Sequence, residues 1–140
     1  MRILGLDIGE RRIGVALSDS LGLTAQGLTV LHRRTLTADM DAVGALVARH
    51  EVSCVVVGLP LTLRGEIGPR AKAVKGFVAA LGRMVRVPID VVDERFTTAQ
   101  GERVLLEANV SRRRRKQVID QLAAQLILQQ YLDRKRPSVE

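Results

Sequence analysis

Aromatic side chains are nearly absent from this chain. Phe77, Phe96 and Tyr131 are the three, and there is no tryptophan. A platform of stacked bases is therefore excluded as the main mode of any nucleic-acid contact, which would have to run through backbone phosphates. Cysteine occurs once, at Cys54. One cysteine builds no internal disulfide framework, and a reducing compartment is expected. Cys54 lies in the apolar run Val52-Ser53-Cys54-Val55-Val56-Val57 and reads as core, not as a nucleophile. No stretch reaches the ~18 apolar residues that a membrane-spanning helix needs. Asp7 interrupts the amino terminus too early for a signal peptide. The chain is expected to be complete, cytoplasmic and free of membrane contact. His32 and His50 have no partner at metal-ligand spacing and read as surface groups.

What is present fits one globular domain. The 140 residues are 46% hydrophobic and 26% charged, an ordinary balance for a chain with a real core. A single domain over residues 1–133 is expected, with a short frayed tail at 134–140. The formal net charge is +7, and five of the positive charges stand together at Arg112, Arg113, Arg114, Arg115 and Lys116. Without that run the charge is +2, so the excess is local. A local basic stretch suits a polyanion. The alternative is a solvated entry to a helix.

The apolar pattern changes period along the chain. Residues 2–8 and 13–17 read as two short strands separated by the turn Gly9-Glu10-Arg11-Arg12, hence an antiparallel hairpin. Leu28 to His32 reads as a third strand. Asp39 to His50 carries Met40, Val43, Leu46 and Val47 at helical spacing, with Thr37 as its cap. Val52 to Val57 is apolar throughout, as in a strand buried on both faces. Arg70 to Met84 reads as a helix and Ile89 to Val92 as a fifth strand. Thr97 or Thr98 can cap a helix over roughly 98–108, and the last helix runs over 117–133. The expected fold is α/β: a mixed five-stranded sheet, an antiparallel meander plus parallel strands, with helices on both faces.

Three acids fall where solubility does not require them. Asp7 closes the first strand, on the face of Ile3 and Gly5. Glu94 follows the fifth strand. Parallel strands put both at one edge of the sheet, where ligands of open α/β sheets bind. Asp120 shares a helix face with Ala123, Ala124, Ile127 and Tyr131, which read as a packing face. A partly buried carboxylate there needs a partner or a metal. If the three converge, a hard divalent cation, Mg²⁺ or Mn²⁺, offsets their repulsion and supports phosphodiester hydrolysis. Each acid also has a plain reading: Asp7 as a turn former, Glu94 as a salt-bridge partner of Arg95, Asp120 as a first-turn residue favoured by the helix dipole. Asp19, Glu66 and Asp93 are reserve acids. Gly5, Gly9 and Gly14 read as points of close approach, Gly9 with a positive φ. Arg11 and Arg12 are placed to touch phosphate; the alternative is that one of them simply pairs with a neighbouring acid.

Gly5-Leu6-Asp7-Ile8-Gly9 with Arg12-Ile13-Gly14-Val15-Ala16 and Ser18-Asp19 resembles the opening motif of the YqgF (RuvX) family. Val57-Gly58-Leu59-Pro60, Asp93-Glu94-Arg95-Phe96-Thr97-Thr98 and Asp120-Gln121-Leu122-Ala123-Ala124 with Ile127-Leu128-Gln129 resemble its later motifs. The resemblance spans residues 2–133. It implies a ribonuclease H-like fold related to the bacterial junction resolvases. It also implies a cytoplasmic bacterial nuclease processing the 5′ end of precursor 16S rRNA, with Asp7, Glu94 and Asp120 as catalytic, metal-holding acids. One loop departs from the family pattern. Thr62 and Arg64 stand where Asn and Asp are common, and Arg64 adds positive charge near the cleft. Nucleic-acid contacts are therefore expected at Arg11, Arg12, Arg64 and the 112–116 run. The run is read as a mobile arm at the mouth of the cleft.

Rival functions differ in simple observables. A resolvase of four-way DNA junctions needs the same chemistry in a dimer, because it makes two symmetric cuts. A phosphotransferase of the actin-like or sugar-kinase kind closes two such domains, and this chain has length for one. A non-catalytic binding protein would share the basic run but survive loss of Asp7. The partners expected are structured RNA, a ribosome precursor or branched DNA, with the chain as monomer or homodimer.

Overall fold

A computed structural model describes residues 1–62, 64–93 and 112–135. Strands β1 (Arg2–Ile8), β2 (Arg12–Ser18) and β3 (Ala25–His32) are followed by α1 (Leu36–Arg49), β4 (Val52–Leu59), α2 (Pro69–Gly82), β5 (Ile89–Asp93) and α3 (Arg112–Lys135). The sheet order is β3-β2-β1-β4-β5. β1, β2 and β3 form the antiparallel meander. β4 joins β1 in parallel, and β5 joins β4 in parallel. The mixed five-stranded sheet is thus the one expected from the period changes. The helix expected over 98–108, with its caps Thr97 and Thr98, lies outside the described residues.

Strand period two sorts the side chains onto two faces. Leu4, Leu6, Ile8, Ile13, Val15, Val55 and Val57 pack under α1 and α2 with Met40, Val43, Val74, Phe77 and Leu81. Ile3, Ala16, Val56 and Val92 pack under α3 with Ala124, Ile127, Leu128 and Leu132. Cover on both faces is why Val55, Val56 and Val57 are all fully buried. Cys54 is half-buried beside Tyr131 on the α3 face, and burial pushes its thiol pKa up.

Four local expectations are corrected. β3 begins at Ala25, three residues before Leu28, because Ser18, Leu17 and Ala16 pair with Ala25, Gln26 and Gly27 across a bulge. The α1 cap is Thr35, whose Oγ1 accepts from the Ala38 N–H at 3.1 Å. Thr37 lies inside the first turn. Gly9 does not adopt a positive φ; among the described residues the glycines that do are Gly22 and Gly65. Its lack of a Cβ serves the turn instead, since a Cβ would stand 2.8 Å from the Arg12 carbonyl oxygen. Finally, α3 is described from Arg112 onward, so the basic run is itself helical and not an arm before the helix.

Candidate active site

The site is built by glycines that let α3 touch the sheet. Asp7 of β1 pairs with Gly14 of β2, so the two share a face. That face is the one covered by α3. A Cβ on Gly14 would overlap the Asp120 carbonyl oxygen and lie 2.5 Å from its carbonyl carbon. Helix backbone therefore rests on strand backbone at this point. Two residues earlier in β1, a Cβ on Gly5 would stand 2.8 Å from Leu128 Cβ. On β3, a Cβ on Gly27 would stand 2.9 Å from Gln121 Oε1. Gly5, Gly14 and Gly27 thus form a seat across three neighbouring strands.

Other bonds fix the far end of the helix. Gln129 accepts from the Ala25 N–H at 2.9 Å and donates to the Leu23 carbonyl at 3.1 Å. The Tyr131 hydroxyl donates to Asp90 Oδ2 at 2.5 Å on β5. Burial and this carboxylate both push the Tyr131 pKa up. The helix is therefore held at both ends, and Asp120 is set at the level of Asp7.

Asp120 and the hairpin turn face each other across an open cleft. Gly9, Glu10, Arg11, Arg12, Arg70 and Asp120 line about 380 Å³ of it. Arg12 Nε donates to Asp120 Oδ2 at 2.5 Å, and both side chains are partly buried. Arg12 lies two residues before Gly14, on the same face, which is why it reaches α3. The turn itself is braced from behind. Gly9 N–H donates to the Arg12 carbonyl at 2.9 Å. Arg33 Nη1 donates to the Gly9 carbonyl at 2.9 Å, and Arg33 Nε donates to Asp39 Oδ2 at 3.1 Å. Asp39 is only 5% exposed and also accepts from the Arg34 N–H. The buried carboxylate holds the arginine, and the arginine holds the turn.

The structure treats the expected site residues unequally. Asp7 pairs with Gly14 on the neighbouring strand, and the Asp120 backbone rests over Gly14, at the carboxyl-terminal end of β1. Arg11 and Arg12 line the cleft, and Arg12 pairs with an acid, Asp120. Arg64 is exposed in the turn between Thr62 and Glu66 and does not line it. Arg112 to Lys116 stand four to eight residues before Asp120, about 6–12 Å farther along the helix axis. Glu94 lies outside the described residues. Among the reserve acids, Asp19 proves to be a turn former. Its carboxylate accepts from the Leu23 and Thr24 N–H groups, and the Leu23 bond is the largest cause of its lowered pKa. Glu66 is exposed in its own loop.

Arg70, Arg33 and Asp39 were not singled out in the sequence. Arg70 follows Pro69, the residue that opens α2, and this is the one signal that places it at a helix entry. Nothing in the sequence couples Asp39 to the hairpin turn.

Asp7 and Asp120 supply carboxylate oxygens, the donors that suit a hard divalent cation. Among the described residues no group of three His, Cys, Asp or Glu side chains forms a metal cage. The donor chemistry of these two carboxylates fits such an ion. No described helix is long and apolar enough to cross a membrane.

Known proteins agree with this architecture. Residues 1–134 match the RuvX family, described as Holliday junction resolvase. A protein of Moorella thermoacetica named "Putative pre-16S rRNA nuclease" is 58% identical over 134 residues, 96% of each chain. One of the same name from Myxococcus xanthus is 52% identical, over 98% of this chain and 91% of its own. Among solved structures, Thermus thermophilus RuvC in complex with a Holliday junction superposes with a TM-score of 0.59 at 17% identity, over 96% and 95% of the two chains. The Fowlpox virus resolvase bound to junction DNA gives 0.57 at 13% identity, over 96% and 98%. Both share the ribonuclease H-like fold, and the sequence matches go further: this chain belongs to the RuvX family of nucleases and resolvases.

Proposed function

We propose that the chain is a metal-dependent endonuclease that hydrolyses phosphodiester bonds at the 5′ end of precursor 16S rRNA, as a single nuclease domain over residues 1–133 acting in the cytoplasm. The observation that carries the reading is the pairing of Asp7 with Gly14 and the seating of the Asp120 backbone over that glycine, with an arginine-lined cleft beside them. The names of the relatives from Moorella and Myxococcus support the choice of RNA.

In this reading Asp7, Glu94 and Asp120 are the catalytic acids and would hold Mg²⁺ or Mn²⁺. Bound there, the ion would polarise the attacking water and stabilise charge on the departing oxygen. The chain does the rest. Arg11 and Arg12 grip phosphates at the hairpin turn. Arg64 and Arg112, Arg113, Arg114, Arg115 and Lys116 extend the contact to flanking backbone. The Arg33–Asp39 brace fixes the turn, so the grip is preorganised and less binding free energy is spent on ordering it.

Cleavage of a four-way DNA junction is the second reading. It is favoured by the description of the family and by the junction-bound neighbours of the same fold. One experiment separates the two. End-labelled 16S leader RNA and a four-way junction are each incubated with Mg²⁺, Mn²⁺ or EDTA, beside Asp7→Asn. Metal-dependent cutting of the RNA, lost in the variant, supports the first reading. Paired cuts in the junction by a dimer select the second. Absence of cutting in both by folded protein refutes the nuclease assignment for this chain acting alone.

A further inference from the structure

Arg12 has one edge committed and one edge open. Its Nε donates to Asp120 Oδ2, and among the described residues its two terminal nitrogens have no hydrogen-bond partner. A guanidinium carries five N–H donors, so most of its capacity is unused. It lies in the wall of the 380 Å³ cleft together with Arg11, Arg70 and Asp120. That volume admits a phosphate group against the open edge.

The ion pair is not what holds Asp120 in place. The backbone of Asp120 already rests on Gly14, where not even a methyl group fits. Gln129 and Tyr131 fix the same helix farther on. The contact uses one nitrogen, not the two-pronged geometry of a permanent arginine–carboxylate clamp. It is also open to water, with 30% of the Arg12 side chain and 19% of the Asp120 side chain exposed. A divalent cation on the same carboxylate competes directly with a single-nitrogen contact of that kind.

We propose that Arg12 is an exchangeable counter-ion of Asp120. In the metal-free protein its guanidinium neutralises the carboxylate. When a divalent cation binds, Arg12 releases Asp120 and turns its N–H groups to the substrate phosphate. The proposal rests on the reading of Asp120 as a metal-holding acid. It makes Arg12 a link between metal loading and substrate grip, since release from Asp120 frees the whole guanidinium to turn to phosphate.

The sign of one measurement decides between this role and a structural one. Mn²⁺ is titrated by calorimetry into the wild-type chain, Arg12→Gln, Arg12→Lys, Asp120→Asn and Arg12→Gln/Asp120→Asn, each checked for folding by thermal unfolding. Removing the competing cation should tighten Mn²⁺ binding about fivefold in Arg12→Gln, the scale of a partly exposed ion pair. Arg12→Lys should stay near the wild type. The gain should vanish in the Asp120→Asn background. Binding of 16S leader RNA should weaken in Arg12→Gln when Mn²⁺ is present, with the logarithmic salt slope reduced by about 0.7–1, and should change less in EDTA, where Arg12 of the wild type stays on Asp120. Weaker or unchanged Mn²⁺ binding in Arg12→Gln, beside normal binding by the wild type, overturns the exchange and leaves the nuclease reading standing. Absence of Mn²⁺ binding by the folded wild type overturns both.

Discussion

Replacing Gly14 by alanine should do far more harm than one methyl group ordinarily does. The added carbon would overlap the Asp120 carbonyl oxygen and sit 2.5 Å from the carbonyl carbon. Both groups are backbone, so no side-chain rotation relieves the clash. The helix must lift, and Ala123, Ala124, Ile127, Leu128 and Leu132, all buried against the sheet or beside it, must lift with it. Overpacking usually costs about 1–3 kcal/mol, and a backbone-on-backbone clash belongs at or beyond the upper end. Out of a total stability of ~7–20 kcal/mol for a chain of this length, that is a large share. A loss of about 3 kcal/mol lowers the melting temperature by roughly 10 °C. The same glycine seat supplies its own scale. Gly5→Ala meets a side-chain Cβ at 2.8 Å and should be the next worst. Gly27→Ala meets the tip of Gln121 at 2.9 Å, which can swing away, and should cost less than about 1 kcal/mol. Gly76→Ala meets nothing within 4 Å in the interior of α2 and should stabilise by about 0.5–1 kcal/mol. Urea unfolding of the four variants, with nuclease assays on those still folded, reads the series. A Gly14→Ala protein within about 1 kcal/mol of the wild type, or a Gly5→Ala protein worse than Gly14→Ala, would refute the seating of α3 described above.

Three further outcomes are expected. Asp39→Ala strips Arg33 and the Arg34 N–H of a buried partner and should cost about 3 kcal/mol in urea unfolding, the lower end for a broken buried pair because Arg33 is partly exposed; a cost below about 1 kcal/mol would count against the brace. The lowered pKa of Asp19 means that its stabilising bonds are present above the unfolded value of 3.8 and are lost as pH falls through the lower folded value. The stability gap between the wild type and Asp19→Asn should therefore close in acid below about pH 4, and a gap that widens there would reverse the sign. Neutralising Arg112 to Lys116 should lower the logarithmic salt slope of RNA binding by up to about 4; an unchanged slope would remove the run from the interface.

Period and continuity made most of the fold legible. The run Val52 to Val57 announced a central strand because cover on both faces demands apolar residues at successive positions. Ile3, Leu4 and Leu6 announced β1 for the same reason. What failed to show were contacts that use no side-chain pattern. Ala25, Gln26 and Gly27 join β3 through backbone pairing and a bulge, and their composition does not look strand-like. The start of α3 was hidden because five consecutive cations leave no apolar stripe to read, although arginine and lysine are good helix formers. The Thr35 cap lost to Thr37 in the sequence because both carry the same hydroxyl chemistry, and only the backbone at Thr35 turns extended.

The candidate acids stood out in the sequence for a physical reason. A carboxylate on a packing stripe, as at Asp120, contradicts its surroundings, and such contradictions mark function. The glycines were visible too, yet their purpose was not. Gly5, Gly14 and Gly27 are far apart in the chain, and their common role exists only after β1, β2 and β3 lie side by side. That role also explains why the site and the core are not separable in this protein. The contact that sets Asp120 level with Asp7 is the same one on which α3 packs, so a change that loosens the helix also moves a proposed catalytic acid. Variants along the seat should therefore lose activity in the order in which they lose stability, whereas Arg12 and the basic run should change binding with the fold intact. If activity and stability separate at Gly14, the registration of the two acids does not depend on the glycine seat.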